Sequence, residues 1–213
     1  MINKTIEHRD IVMVMDAKTA MSIKPPVLPE GYSFRFFESK ADIEHWCRIE
    51  ASVKEFDSYE NAYKHFNYEF IMYIEELKKR CIFILDKNEV PIGTSMGWFS
   101  DCDIKSRLHW IAVCPEHQGK GLGKAVSQMA VTICTKHNPN EAIWLSTQTG
   151  SYPAVMIYNK LGFFMTNKSI MVRLSRGDNR TPGYNKNYIK DFDRAIEVLG
   201  QVLKPEQVRN LYL

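Results

Sequence analysis

Three glycines and two lysines lie together at the point where an apolar segment gives way to a helical pattern. The run is Gln118-Gly119-Lys120-Gly121-Leu122-Gly123, and Lys124 follows it directly. The first N–H groups of a helix lack partners and carry partial positive charge, and glycines let an anion approach them closely. The loop therefore suits a pyrophosphate. The alternative is a surface turn whose glycines serve only the chain reversal.

Two common phosphate-binding motifs do not fit these residues. A P-loop requires glycine where Gln118 stands and serine or threonine where Ala125 stands. A dinucleotide-binding fingerprint requires glycine where Lys124 or Val126 stands. The loop therefore belongs to neither class.

The elements on either side of the loop have clear patterns. Leu108–Val113 is apolar with one polar interruption, which predicts a mostly buried strand, and Pro115 ends it. Downstream, apolar residues at helical spacing predict a helix from Leu122 that stops at Asn138-Pro139-Asn140. The glycines thus connect a strand to a long helix.

The loop resembles the Gln/Arg-x-x-Gly-x-Gly/Ala signature of the GNAT acetyltransferase superfamily. A second matching segment is Ala154–Phe163, which includes Tyr158 and ends in Leu-Gly-Phe after the strand Ile143–Thr147. The resemblance covers Arg107 to Phe164. It implies an α/β (α+β) GNAT fold, with a mixed, mostly antiparallel, twisted sheet flanked by helices.

The resemblance also implies acetyl transfer from acetyl-CoA, as co-substrate, to a primary amine by direct attack through a tetrahedral intermediate. In the family, backbone N–H groups of the central strand bind the pantetheine arm. Here these groups belong to Ile111, Ala112 and Val113, with the Ile111 N–H as the oxyanion donor. Many members have asparagine near the start of the Tyr-bearing helix to bind the same arm, and Ser151 stands in its place.

Two side chains are candidates for proton transfer. Tyr158 matches the family position that protonates the departing thiolate, and a phenol with a pKa of about 10 is protonated at neutral pH. The alternative is a core tyrosine. His109 is the candidate base, as in the arylalkylamine branch of the family, although a lone strand histidine can also be a hydrogen-bonded core residue. The histone-branch glutamate position holds Arg107, which cannot act as a base.

In the family, the acceptor enters over the two N-terminal helices and their loop, which the resemblance places here at about residues 53–63, and over the last strands. Glu55 would attract a cation, while Phe56 and Tyr59 would cover its carbon skeleton. Asp57 and Glu60 have an equally good interpretation as helix caps. Three hypotheses follow: an enzyme acting on a small-molecule amine, an enzyme acting on a protein N-terminus or lysine, and a non-catalytic CoA-binding protein.

Composition limits the function further. The chain has 213 residues, 45% of them hydrophobic and 25% charged, and a net charge of +3 without a basic run, which does not indicate nucleic acid. Five scattered cysteines predict reduced thiols rather than a disulfide framework, and Cys114 with His117 is at most half a metal site, so no metal is expected. No signal peptide or membrane span is visible, which predicts a cytoplasmic protein.

The remaining elements suggest three parts. Residues 1–30 contain a strand at 11–15 and a proline-rich linker; residues 31–175 form the acetyltransferase domain; residues 176–213 form a helical tail that either caps the core or supplies a dimer interface. Within the domain we expect a strand at 32–36, helices opened by Ser39 and Asp57, a hairpin over 81–99 and a last strand at 169–174.

Overall fold

The computed structural model describes residues 2–100, 103–167 and 191–212. Its strands are β1 (Asp10–Met15), β2 (Ser33–Phe36), β3 (Cys81–Leu85), β4 (Pro91–Phe99), β5 (Ser106–Val113), β6 (Ile143–Gln148) and β7 (Phe164–Met165). Its helices are α1 (Ala17–Ser22), α2 (Asp42–Ser52), α3 (Tyr59–Phe70), α4 (Ile74–Arg80), α5 (Leu122–His137), α6 (Tyr152–Lys160), α7 (Phe192–Leu199) and α8 (Pro205–Arg209). The predicted strand at 169–174 lies outside the described residues.

The strands form one seven-stranded sheet in the order β2-β3-β4-β5-β6-β1-β7. The pairs β2–β3, β3–β4, β1–β6 and β1–β7 are antiparallel, whereas β5 and β6 are parallel. The predicted fold class, a mixed and mostly antiparallel sheet flanked by helices, is confirmed.

The chain divides into two compact units, and the first contains residues 24–98 and 108–133. Its core joins β3 and β4 to α5 through fully buried aliphatic side chains that include Ile82, Val126 and Ile133. Gly97 permits this packing, because a Cβ there would lie 2.7 Å from the carbonyl oxygen of Ala130 and from Ile133. The backbones of β4 and α5 therefore approach closely at this glycine.

Two helices of the first unit begin differently from the predicted pattern. Asp42 accepts hydrogen bonds from the backbone N–H groups of Glu38 and Ser39, and Arg35 holds its carboxylate at 2.7 Å. At α3, Ser58 is the N-cap, and its hydroxyl accepts the Asn61 N–H. Glu60 lies in the first turn, where its negative charge interacts favourably with the helix dipole. The predicted cap at Asp57 is thus one residue too early.

The described residues of the second unit are 3–23, 99–100, 103–107, 134–167 and 191–212. Here β1 pairs along its length with β6, from Asp10–Gln148 to Met15–Ile143, and its other edge pairs with β7. The N-terminal strand is therefore an interior strand of the sheet rather than an appendage. Asp16 then caps the unpredicted helix α1 by accepting the Thr19 N–H.

The described part of the C-terminal tail packs within the second unit. Leu199 and Leu211 are fully buried, and the Met165 N–H donates to the Leu211 carbonyl at 2.6 Å. Asn159 Nδ2 also donates to the carbonyl of Asn210 at 2.7 Å. These contacts attach the end of the tail to β7 and α6. None of the described helices has the length and hydrophobicity needed to cross a bilayer.

Candidate active site

The glycine loop has a backbone that only glycine adopts without strain. After β5, a 3₁₀ turn at Pro115–His117 leads through the loop into α5. Gly119 has φ of 78° and Gly121 has φ of 80°, both in the left-handed region. A Cβ at either position would have no protein atom within 4 Å, so the space over the loop is open to solvent or a ligand.

Side chains on both sides hold this loop in place. Gln118 Nε2 donates to the Val113 carbonyl at 2.8 Å, which ties the loop back to the end of β5. Lys120 Nζ donates to the Tyr32 hydroxyl at 3.2 Å and lies 5.9 Å from the centre of its ring. The same hydroxyl lies 3.3 Å from Nδ1 of His117. Tyr32 was not predicted as a site residue, and it positions the loop lysine.

These features fit a diphosphate. The loop precedes a helix of 16 residues, whose aligned peptides place partial positive charge at its first turn. Lys120 and Lys124 add formal charge, and both are exposed. The bare glycines leave room for phosphate oxygens to reach the N–H groups of Leu122 and its neighbours.

The end of β5 that precedes the loop contains the three predicted pantetheine-binding residues. Ala112 and Val113 are buried, and Ile111 is half-buried. β4 lies close to them, because a Cβ on Gly93 would be 3.0 Å from the Ala112 carbonyl oxygen. The Cys114 N–H donates to the Ile92 carbonyl at 2.8 Å, which fixes the point where β5 ends.

Earlier in β5, His109 is part of a hydrogen-bond network centred on Glu69 of α3. His109 Nε2 lies 2.7 Å from Glu69 Oε1. The other carboxylate oxygen, Oε2, is 2.8 Å from His65 Nε2 and accepts from Trp110 Nε1 at 3.1 Å. We call these four residues the Glu69 network. Its side chains are partly shielded, since that of His109 is 15% exposed and that of Glu69 is 23% exposed.

A backbone irregularity makes the network possible. Consecutive residues of a regular strand point to opposite faces of the sheet. Trp110, however, has φ of 47°, in the left-handed region that a bulky residue adopts only at a cost of about 1–2 kcal/mol. Because of this turn, the neighbouring side chains of His109 and Trp110 both reach the same carboxylate.

The predicted acceptor residues lie near this network or at the surface. Phe56 stacks on Trp110 with ring centres 5.3 Å apart, and both rings are half-buried. Glu55 is exposed, and Tyr59 is exposed and stacks on Tyr63 at 6.2 Å. Phe56 and Trp110 are thus the outer members of an aromatic cluster in the first unit. We define the aromatic cluster as Trp46, Phe56, Phe66, Phe70 and Trp110.

Two buried polar atoms on α2 are unsatisfied among the described residues. Glu50 is 2% exposed, and its Oε1 has no hydrogen-bond partner among the described residues. Nε1 of Trp46, one turn earlier on α2, is likewise buried and without a partner in that part of the chain. Burial, with a smaller contribution from the nearby Glu55 carboxylate, raises the pKa of Glu50 well above its usual value. The unsatisfied Glu50 Oε1 and Trp46 Nε1 are both unusual, because buried polar atoms normally have hydrogen-bond partners.

The second unit contains the remaining predicted site residues. Tyr158 lies in α6 and is 7% exposed, and its ring packs edge-on against Phe163 at 6.3 Å. Ser151 is the N-cap residue of α6, is half-buried, and forms no capping hydrogen bond through its side chain. Within the described ranges, no group of three or more His, Cys, Asp or Glu side chains could hold a metal ion.

A mixed sheet whose central strand passes through a glycine loop into a long helix is the arrangement of the N-acetyltransferase fold. The sequence model of the Acetyltransferase (GNAT) family matches residues 42–163, more than half of the chain. The chain belongs to this acetyltransferase family, as the resemblance predicted, and proteins of the family use acetyl-CoA.

Individual relatives are distant. A mycothiol acetyltransferase from Streptomyces bingchenggensis is 21% identical over 177 residues, which cover 78% of this chain and 54% of the relative. A GCN5-related N-acetyltransferase structure from Sphaerobacter thermophilus has a TM-score of 0.59 at 17% identity, covering 76% of this chain and 49% of the other. A GNAT structure from Colwellia psychrerythraea has a TM-score of 0.57 at 10% identity, with coverages of 78% and 55%. The chain spans about half the length of these relatives.

Several functional candidates emerge only in three dimensions. Glu69, Trp110 and Tyr32 bind predicted site residues but were not singled out from the sequence. One signal was available, because His65 and Glu69 have the i, i+4 spacing that pairs side chains on a helix. No sequence signal links Glu69 to His109, which lies 40 residues away.

Proposed function

We propose that this protein transfers an acetyl group from acetyl-CoA to a primary amine of a small molecule by direct attack through a tetrahedral intermediate. The observation that carries the proposal is the open glycine loop at the start of α5, in a chain of the GNAT family. The described cysteines Cys47, Cys81, Cys114 and Cys134 are free thiols, which suits a reducing compartment, so we assign the activity to the cytoplasm.

The loop and the end of β5 would bind acetyl-CoA. N–H groups from Gly119 to Gly123, with the ammonium groups of Lys120 and Lys124, would hold the pyrophosphate. Gln118 keeps the loop attached to Val113 and so maintains its shape. The backbone N–H groups of residues 111–113 would bind the pantetheine arm, with that of Ile111 facing the oxyanion, and Ser151 would add a hydroxyl contact to the arm.

His109 would remove the proton from the substrate amine. About one alkylamine in a thousand is neutral at pH 7, so a base is needed to form the nucleophile. An ionised Glu69 only accepts hydrogen bonds, so the imidazole presents Nε2–H to it and keeps its lone pair on Nδ1. Glu69 is a positioning residue, because it orients His109 and stabilises the imidazolium that forms.

Tyr158 would protonate the departing thiolate. As the amine nitrogen forms its bond to the carbonyl carbon, the carbon–sulfur bond breaks and the sulfur requires a proton. Tyr158 is buried, which keeps competing water away from the phenol. The position of this tyrosine in α6, four residues before Gly162, supports the role by its match to the family pattern.

The acceptor would enter over the segment that joins α2 to α3. Phe56 offers a half-buried ring beside the Glu69 network, Glu55 supplies negative charge, and Tyr59 supplies an exposed ring. An acidic, aromatic surface favours a cationic substrate. The name of the curated relative, a mycothiol acetyltransferase, also fits a small-molecule acceptor.

The test is a screen of small amines and of lysine-containing peptides with acetyl-CoA, following thiol release and identifying the acetylated product by mass spectrometry. We expect thiol release with one or more small amines, accompanied by N-acetylated product. Acetylation of peptides alone would replace the small-molecule acceptor with a protein acceptor. Absence of product with any amine, despite measurable CoA binding, would refute the enzymatic proposal.

A further inference from the structure

A buried acid with one oxygen unsatisfied among the described residues marks a second binding feature in the first unit. Glu50 is 2% exposed, and its Oε1 and the Trp46 Nε1 are unsatisfied among the described residues. Leaving such groups unsatisfied in an apolar interior is costly. A native protein retains unsatisfied groups of this kind where a ligand, an ion or a water molecule completes them.

The position of Glu50 relates it to the acceptor segment. Residues four apart lie on the same face of a helix, so Glu50 shares with Trp46 the face of α2 that packs on the aromatic cluster. Trp46 contacts Phe56 at 6.0 Å and Trp110 at 5.3 Å between ring centres. The chain then turns back after α2, and the Glu55 N–H donates to the Glu50 carbonyl at 3.2 Å.

Charge favours a cation as the missing group. Burial, and to a smaller extent the nearby Glu55 carboxylate, raise the pKa of Glu50 and so disfavour its ionisation. A positive charge placed beside Glu50 would offset both effects and allow its carboxyl group to ionise. The adjoining rings offer π faces, which attract ammonium groups and cover hydrocarbon. A hard metal ion is a poor fit, since it needs several oxygen ligands, which aromatic rings do not supply.

The cation bound here is not the reacting amine. A carboxylate stabilises an ammonium group against loss of its proton, whereas the attacking nitrogen must lose a proton. The reacting nitrogen belongs beside His109, where the imidazole accepts that proton. Trp110 lies between the His109 site and the Glu50 site, because its indole N–H donates to Glu69 and its ring packs on Phe56 and Trp46.

We infer that Glu50, assisted by Glu55 and by the rings of Trp46 and Phe56, binds a second ammonium group of the acceptor, so that the preferred substrates are diamines on an apolar carbon chain. This inference rests on the proposed acetyl transfer. One amine of the substrate is acetylated. The other stays an ammonium ion beside Glu50, whose carboxyl group releases its proton to solvent when the cation binds. The hydrocarbon between them lies along the half-buried rings of Phe56 and Trp110.

The test compares straight-chain α,ω-diamines with n-alkylamines of the same length in the acetylation assay. We expect the best diamine to exceed its matched monoamine by about 10- to 30-fold in kcat/KM, the discrimination of a desolvated cation–π and carboxylate contact. In Glu50→Gln, which keeps the shape but cannot ionise when a cation binds, this ratio should fall close to one. Glu44→Gln, at an exposed position of the same helix, should keep the wild-type ratio.

Calorimetric titration of the full-length protein with the same amines, without acetyl-CoA, separates this inference from the proposed function. Diamine affinity should fall about 10- to 30-fold in Glu50→Gln even if no amine is ever acetylated. If Glu50→Gln does not fold, Phe56→Leu should reduce the diamine-to-monoamine ratio several-fold. Equal binding of diamines and monoamines by the wild type, or an unchanged ratio in a folded Glu50→Gln, would show that Glu50 is a structural acid only and overturn the inference.

Discussion

Replacing Glu69 by glutamine tests whether the network around His109 acts in catalysis. The Glu69 carboxylate lies within hydrogen-bond distance of His109 Nε2, His65 Nε2 and Trp110 Nε1, at 2.7, 2.8 and 3.1 Å. Glutamine has one carbonyl oxygen, and its NH₂ group would face an N–H of a former partner. At least one donor therefore loses its acceptor, and the imidazolium of His109 loses a negative neighbour.

The magnitude follows from these contacts. Hydrogen bonds to charged groups contribute about 1.5–3 kcal/mol each, and partial exposure of the Glu69 side chain, 23%, favours the lower end. Loss of about 1.5–2.5 kcal/mol of transition-state stabilisation corresponds to a decrease of roughly 10- to 70-fold in kcat. Complete removal of a general base costs about 100- to 10,000-fold, so Glu69→Gln should be milder than His109→Gln.

The assay is steady-state thiol release with the best amine, measured for Glu69→Gln, His109→Gln and the double variant. If Glu69 acts through His109, the double variant should be no slower than His109→Gln alone. KM for acetyl-CoA should change little. Glu76→Gln, which removes another paired carboxylate at Arg80, should keep wild-type kcat. Multiplicative effects of Glu69→Gln and His109→Gln would refute the positioning role.

Four further outcomes test other parts of the molecule. Tyr158→Phe should leave acetyl-CoA affinity nearly intact and slow kcat by about 100-fold or more; unchanged turnover would remove Tyr158 from the mechanism. Gly121→Asp should fold, because a Cβ there meets no protein atom, yet weaken CoA binding at least about tenfold through charge repulsion and strain at φ of 80°; normal CoA binding in a titration would place the diphosphate elsewhere. Gly97→Ala should destabilise the protein by about 1–3 kcal/mol in urea unfolding, because its Cβ would lie 2.7 Å from the Ala130 carbonyl oxygen; unaltered stability would contradict that packing. Because the pKa of Glu50 is raised, the folded state keeps a proton on this carboxyl group above about pH 4.5, where the unfolded state has released it. The free energy of unfolding therefore falls as the pH rises from about 4.5 toward the pKa of the folded state. Glu50→Gln should therefore stabilise the protein more at pH 8 than at pH 5 in thermal unfolding, and an equal effect at both pH values would contradict burial of the acid.

Much of the cofactor loop could be predicted from the sequence, because its determinants are local. Gly119 and Gly121 require positive φ wherever they occur in such a turn, and the apolar stripe of α5 gives the helix its period. The predicted limits, Leu122 and Asn138, agree with the helix Leu122–His137. The occurrence of this loop together with the Tyr-bearing segment in one sequence was enough to identify the fold class.

The strand order and the proton-transfer network depended on contacts between distant parts of the chain. The 11–15 segment has a good strand pattern, but only pairing with β6 and β7 makes it an interior strand. His109 looked like a single polar interruption of a buried strand. Its partner Glu69 lies 40 residues away, and the neighbouring Trp110 reaches the same carboxylate because it adopts a left-handed backbone that no local preference would favour.

The sequence by itself determined the features that depend on neighbouring residues: the bare loop, the helix that follows it, and the apolar periodicity of the strands. The tertiary structure decided which titratable groups meet and which remain unsatisfied, such as His109 at Glu69 and Glu50 beside the aromatic cluster. The physical reason is the distance along the chain over which each effect acts. Backbone conformation and amphipathic period are set within a few residues, whereas hydrogen bonding and burial of a side chain depend on what the rest of the fold brings to it.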